Sequence, residues 1–82
     1  MTNIIKKKVL RYTAVFEPDT KQGGYSVTIP ALPGCISEGD TFEEALKNIQ
    51  EAAELYIEVI QEKNEEVPQE EGMVVAPVTV KA

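Results

Sequence analysis

The side chains of this sequence that could do chemistry are its carboxylates and one thiol. The chain has 14 Asp and Glu residues, a single Cys and no His. Zinc sites built from Cys and His, haem ligation by imidazole and Ser–His–Asp triads all require residues that this sequence lacks. A single Cys also excludes an intrachain disulfide. Metal binding or nucleophilic catalysis would therefore depend on carboxylates or on Cys35 alone.

Cys35 lacks the surroundings of a reactive thiol. A thiolate is stabilised by a positive neighbour or by a helix N-terminus. The nearest charged residues along the chain are instead Glu38 and Asp40. We therefore expect Cys35 to be a small buried hydrophobic residue, and the sequence predicts no catalytic residue, no metal site and no cofactor.

Length and charge indicate one small acidic domain, residues 1–82, with a flexible start at about residues 1–6. The net charge is −6, and residues 38–71 alone carry twelve acidic residues against two lysines, a net −10. Such a field repels nucleic acid and favours a basic protein partner, although an acidic face kept for solubility is the alternative. Without a secretory signal or an apolar run of roughly 20 residues, we expect a cytoplasmic protein.

Alternating and turn-forming residues predict three strands in the first half of the chain. Alternation over 9–16 and again over 25–29 predicts two antiparallel strands, joined by the Pro-, Asp- and Gly-containing turn 18–24. The segment 30–34 has two prolines and a glycine, so it predicts a rigid connector rather than more strand. Residues 35–38 are long enough for one short third strand.

The helix start is the sharpest local signal. Thr41 as N-cap and Glu44 three residues later form a capping box, and apolar residues then recur at helical spacing to about residue 63. Alternation over 73–80 predicts a final strand, which Pro77 places at an edge or at a bulge. The expected fold is α+β, in the order β-β-β-α-β, with one amphipathic helix on a mainly antiparallel four-stranded sheet. The sheet face left open favours a homodimer, through sheet faces or an edge strand.

Four short motifs occur in one order and register. They are Gly-Tyr-Ser-Val at 24–27, Ile-Pro-Ala-Leu-Pro-Gly-Cys at 29–35, Ser-Glu-Gly-Asp-Thr-Phe-Glu-Glu-Ala at 37–45 and Asn-Ile-Gln-Glu-Ala at 48–52. Each alone is a weak signal, but together they form a strong one. In order and spacing they resemble the HicB-like antitoxin family of type II toxin–antitoxin systems, firmly over residues 9–63 and more loosely at the last strand.

The resemblance implies a partial ribonuclease-H-like topology and a function by protein binding. Proteins of this family neutralise a small basic HicA-type toxin, an mRNA-cleaving ribonuclease, by covering its active surface, and they form homodimers or higher oligomers. Many relatives add a C-terminal DNA-binding segment. Here no helix follows the last predicted strand, so we expect no C-terminal DNA-binding domain and no operator binding.

Two other functions remain open at this stage. One is a stand-alone homo-oligomeric structural or regulatory module with the same fold and no toxin. The other is a vestigial nuclease, which would need carboxylates converging on two cations. The middle of the first predicted strand offers Arg11 and Thr13 instead, and Glu17 and Asp19 follow only at the turn. The sequence therefore predicts a protein that is not an enzyme.

The expected partner-binding residues lie around the Pro-rich connector and the helix start. Glu38, Asp40 and Glu43 cluster in sequence just beyond the connector, and Leu32 and Pro33 form its centre. A rigid connector beside several carboxylates is suited to binding a basic surface. We expect these five residues to contact the partner.

Overall fold

Three strands and one helix make up the regular structure of the chain. The computed structural model describes residues 9–82, and it contains β1 (Val15–Pro18), β2 (Tyr25–Thr28), β3 (Ile36–Gly39) and α1 (Phe42–Glu62). The flexible start expected at residues 1–6 lies outside the described residues.

The three strands form one antiparallel sheet in the order β1-β2-β3. Val27 in the central strand pairs with Phe16 on one side and with Ser37 on the other. The turn between β1 and β2 is held by Asp19, whose Oδ1 accepts hydrogen bonds from the backbone N–H groups of Lys21 at 3.0 Å and Gln22 at 3.1 Å. The predicted hairpin, with its Asp-containing turn, is confirmed.

The core lies between one face of the sheet and α1. Its buried members come from the second strand and the segment after it, from the connector and from the helix: Val27, Ile29, Leu32, Cys35, Ala45 and Ile49. The opposite face of the sheet is open. There Thr28 pairs with both Val15 and Ile36, and Ile36 is 64% exposed.

The helix begins as its capping signal predicts. The Oγ1 of Thr41 accepts a hydrogen bond from the Glu44 N–H at 3.1 Å, and the Glu44 carboxylate accepts one from the Asp40 N–H at 3.2 Å. Glu44 thus reaches one residue beyond the N-cap itself. The first turn also presses against the end of β3, because a Cβ on Gly39 would lie only 2.3 Å from the Ala45 nitrogen.

The first strand is shorter than the alternation predicts. It begins at Val15 rather than at residue 9. The register explains the difference, since Val15 pairs with Thr28, the last residue of β2, and residues before Val15 have no strand opposite them. Tyr12, Ala14 and Phe16 nevertheless pack against the core on a common side, as the alternation predicts.

The prediction of a final strand over residues 73–80 is wrong for this chain. These residues pair with no strand in the described part of the chain, and all are exposed. The observed fold is therefore α+β in the order β-β-β-α, with three strands rather than four, and the ribonuclease-H-like topology stays a prediction. Apolar alternation favours a half-buried strand, but a strand also needs a partner edge.

Side-chain hydrogen bonds tie the segment after the helix to the start of β1. The Tyr12 hydroxyl donates to the Pro68 carbonyl, and the Glu70 carboxylate accepts from both the N–H and the Oγ1 of Thr13, at 2.6 and 2.7 Å. We call these hydrogen bonds the Glu70 anchor. After the anchor the chain extends away from the sheet and the helix, and residues 71–82 are all exposed. The radius of gyration is 16.0 Å, against about 12 Å for a compact domain of this length. We call residues 73–80 the C-terminal arm.

Candidate functional site

The connector between β2 and β3 is held by its own backbone. Leu32 N–H donates to the Ile29 carbonyl and Cys35 N–H to the Leu32 carbonyl, both at 2.9 Å, while Ile29 N–H donates to the Cys35 carbonyl at 3.1 Å. Gly34 has a φ of +85°, which favours glycine at this position. The rigid connector expected from the sequence is confirmed.

Contacts with α1 also hold the connector in place. The Leu32 side chain is fully buried in the core, and the Tyr56 hydroxyl on α1 donates to the Pro33 carbonyl at 2.8 Å. The exposed part of the connector therefore includes Pro33 but not Leu32. Of the five expected contact residues, Leu32 is the one whose side chain does not reach the surface, because it fills the space between sheet and helix.

An acidic groove lies where the β1–β2 turn, the end of β3 and the start of α1 meet. Its charged lining consists of five carboxylates and one lysine: Glu17, Asp19, Glu38, Asp40, Glu44 and Lys21. The structure therefore brings the expected residues Glu38 and Asp40 together. Glu43 lies on the exposed first turn of the helix, outside this lining.

Strand register explains why Glu17 joins the groove. Ser26 pairs with Glu17 on one side and with Glu38 on the other, so the two carboxylates share the open face of the sheet. Neighbouring strands lie about 4.8 Å apart, which puts their backbones about 10 Å from each other. The expected contact residues do not include Glu17 because this pairing joins residues that are far apart in sequence. Asp19 and Glu44 are interpreted from the sequence only as a turn residue and a capping residue.

Hydrogen bonds restrain two of the groove's carboxylates and the backbone at the end of β3. The capping bond to Asp40 N–H restrains Glu44, and the turn bonds from Lys21 and Gln22 restrain Asp19. The end of β3 is also tied to the helix, because Asn48 Nδ2 donates to the Glu38 carbonyl at 2.8 Å. A prearranged acidic surface of this kind can attract and orient a cationic partner at low entropic cost.

The carboxylates and the thiol of the described residues were the candidates for metal binding and nucleophilic chemistry. Within residues 9–82, no group of three or more Cys, Asp and Glu side chains is arranged to hold a metal ion. Cys35 is buried, as expected, and burial raises the pKa of its thiol. A thiol with a raised pKa is less nucleophilic at neutral pH. In the same part of the chain, no helix has the length and apolar character needed to cross a membrane.

Comparison with known proteins identifies the family. Residues 12–77 match the family described as HicB_like antitoxin of bacterial toxin-antitoxin system. A UPF0150 protein of Synechocystis sp. is 43% identical over 77 residues, which cover 94% of this chain and 95% of that protein. A UPF0150 protein of Thermoplasma acidophilum is 44% identical over 61 residues, covering 74% of this chain and 87% of its own length.

A named antitoxin is also similar. Antitoxin HicB 1 of Photorhabdus laumondii is 39% identical over 61 residues, which cover 74% of this chain but only 39% of that antitoxin. The family match spans the hairpin, the connector, the acidic groove and the whole helix. This chain belongs to the HicB-like antitoxin family of bacterial toxin–antitoxin systems.

Proposed function

We propose that this chain is a cytoplasmic antitoxin that neutralises a small basic HicA-type toxin by covering its mRNA-cleaving surface. The acidic groove carries this proposal. A toxin that binds RNA needs a cationic surface, and a groove with five carboxylates and one lysine is complementary to it. The antitoxin needs no catalysis of its own, since occupying that surface excludes RNA.

The contact surface we propose combines the groove with the exposed side of the connector. Pro33, Glu38, Asp40 and Glu43 are the expected contact residues whose side chains are exposed. Pro33 is held by the Tyr56 hydrogen bond, so it can pack on a partner without being ordered at binding. Leu32 supports this surface from within the core.

A charge-reversal experiment tests where the toxin binds. We expect the triple variant Glu38→Lys, Asp40→Lys, Glu43→Lys to weaken binding about tenfold, because three rim charges at about 0.5 kcal/mol each sum to about 1.5 kcal/mol. The probe is a purified small basic HicA-type protein, taken from the reading frame next to the gene where one is encoded there, and the readout is the dissociation constant.

The matched control places the same charge change elsewhere. Glu54, Glu58 and Glu62 are exposed on the distal part of the helix, and reversing all three alters the net charge equally. We expect this control to change affinity by less than about threefold, which is under 1 kcal/mol. Equal losses in the two triple variants would show that only net charge matters and would contradict the proposed surface.

The second candidate function is a homo-oligomeric module without a toxin. The observation that favours it is the exposed apolar C-terminal arm, which has no role in the acidic groove. A neighbouring product that is not toxic, or that elutes separately from this chain, would favour the module over the antitoxin.

A further inference from the structure

The open face of the sheet carries two rows of side chains with different character. The row nearest the β1–β2 turn, which we call the acidic row, has a hydroxyl between two carboxylates: Glu17, Ser26 and Glu38. The next row, which we call the β-branched row, has three side chains of that shape: Val15, Thr28 and Ile36. Successive residues on one face of a strand lie about 6.6 Å apart, so one partner can contact both rows.

Ile36 is the most exposed member of the β-branched row. It is 64% exposed, whereas Val15 and Thr28 are half-buried. Along the chain Ile36 follows the exposed Pro33 by three residues and precedes Glu38 by two. Ile36 therefore lies between the exposed part of the connector and the acidic groove, and it makes these two parts of the proposed contact surface continuous.

An apolar centre beside carboxylates is the arrangement that a stable protein interface needs. Charged residues are depleted from the centre of such interfaces and are found at the rim, where water still reaches them. Ile36 and its two row neighbours supply an apolar centre, and the acidic row supplies charges at its edge. A cationic protein with an exposed apolar side chain between its Lys or Arg residues is complementary to this face.

Charge decides between a toxin and a second copy of this chain as the occupant of the open face. Two copies stacked through their open faces would bring two pairs of Glu17 and Glu38 carboxylates together, and like charges oppose each other across an interface. A cationic partner is attracted by the same carboxylates. We propose, on the basis of the proposed toxin binding, that the open face is part of the toxin-binding surface and that Ile36 packs on an apolar side chain of the toxin.

The first test gives charge and apolar contact opposite effects on affinity. Ile36→Glu adds a carboxylate to the open face and removes the apolar side chain. Attraction by charge alone would make a cationic partner bind this variant more tightly. We expect binding to weaken about tenfold or more, about 1.4 kcal/mol, because the new carboxylate would be buried against an apolar surface. The measurement is the dissociation constant for a purified small basic HicA-type protein.

Two further variants control for charge and for folding. Leu55→Glu changes the net charge equally on the distal part of the helix, where Leu55 is 62% exposed, and it should alter affinity by less than about threefold. Ile36→Thr keeps a β-branched residue that suits a strand, so it removes apolar contact without disturbing β3. It should weaken binding about fivefold and leave the salt dependence unchanged.

The second test locates the contact by chemical labelling. Ile36→Cys and Leu55→Cys each add one exposed thiol, while Cys35 is buried. We expect saturation with the HicA-type protein to abolish maleimide labelling at residue 36 and to leave labelling at residue 55 unchanged. Light scattering of the chain alone should give the same mass with and without Ile36→Glu.

Several results would overturn the proposal. They are an Ile36→Glu variant that binds as tightly as the unmodified chain, an equal loss from Leu55→Glu, and labelling at residue 36 that the HicA-type protein does not reduce. A mass that changes with Ile36→Glu would assign the open face to a second copy instead. If the unmodified chain does not bind the HicA-type protein, the proposed function itself fails, whereas binding that is insensitive to Ile36→Glu contradicts only the role of the open face.

Discussion

A set of hydrogen bonds joins the residues just before β1 to the segment after the helix, through Tyr12, Thr13 and Glu70. Burial raises the pKa of the Tyr12 hydroxyl above its ordinary value of 10.0, and the negative charge of Glu70 raises it further. The neutral phenol, which can donate to the Pro68 carbonyl, is therefore the form that the folded chain favours.

This shift predicts how Tyr12 contributes to stability in alkaline solution. Below pH 10 the hydroxyl keeps its proton in both states and the contribution is complete. As the pH rises above 10, the unfolded chain releases the proton first, so the free energy of unfolding falls until the folded pKa is passed. We expect Tyr12→Phe to lower stability by about 1 kcal/mol at pH 7 and to flatten this alkaline decline.

Urea unfolding of both proteins between pH 8 and pH 11 measures the effect. Tyr25→Phe is the control, because Tyr25 lies on β2 against Phe42 and takes no part in the hydrogen bonds of Tyr12, Thr13 and Glu70. An identical slope for the unmodified chain and the Tyr12 variant would contradict the role assigned to this hydroxyl.

The contact between β3 and α1 sets the shape of the acidic groove. Gly39 ends β3 and lies against the first turn of the helix, where an added Cβ would come within 2.3 Å of the Ala45 nitrogen and 2.8 Å of its Cα. The backbones can therefore approach this closely only because residue 39 has no side chain. Asp40 and Glu44 take their positions in the groove from that approach.

Gly39→Ala should accordingly destabilise the fold by about 2–3 kcal/mol, since a well-packed backbone cannot yield without cost. Gly34→Ala is the matched control. Its Cβ would meet nothing within 4 Å, so it should lose only about 1 kcal/mol for its positive φ. The stabilities of the two variants are compared by the midpoints of thermal or urea unfolding. Equal losses of stability would mean that the start of α1 can move away from β3 at little cost, which would contradict the tight contact at Gly39.

Local signals in the sequence predicted the elements whose stabilising contacts are local. The Thr41–Glu44 capping box, the Asp19 turn and the Pro-rich connector are stabilised by residues within a few positions, and all three are confirmed. The strand predictions over 9–16 and 73–80 depended on pairing with distant residues. Alternation alone could not show that β2 ends at Thr28 or that the last segment leaves the sheet.

The candidate site was predictable to the same extent. Glu38 and Asp40 lie close together in sequence, so their clustering could be read directly, and the structure places both in the groove. Glu17 joins them only through the β1–β2–β3 register. The burial of Leu32 likewise depends on a helix that begins ten residues later.

At the scale of the whole molecule, the acidic groove and the C-terminal arm are separate surfaces. The acidic groove occupies the end of the sheet near the helix start, whereas the C-terminal arm is uncharged and leaves the body at the Glu70 anchor. Under the proposed function, a cationic toxin would bind the acidic groove rather than the C-terminal arm.

The most direct test of the proposed function is the affinity of the purified chain for a purified small basic HicA-type protein, taken from the neighbouring reading frame where one is encoded there, measured by calorimetry at two ionic strengths. The Debye length falls from about 10 Å at 0.1 M salt to about 3 Å at 1 M. A complex held by the acidic groove should form tightly at 0.1 M salt and weaken about tenfold or more at 1 M, about 1.4 kcal/mol. Failure to bind at 0.1 M, or an affinity that does not change with salt, would contradict toxin neutralisation through this surface.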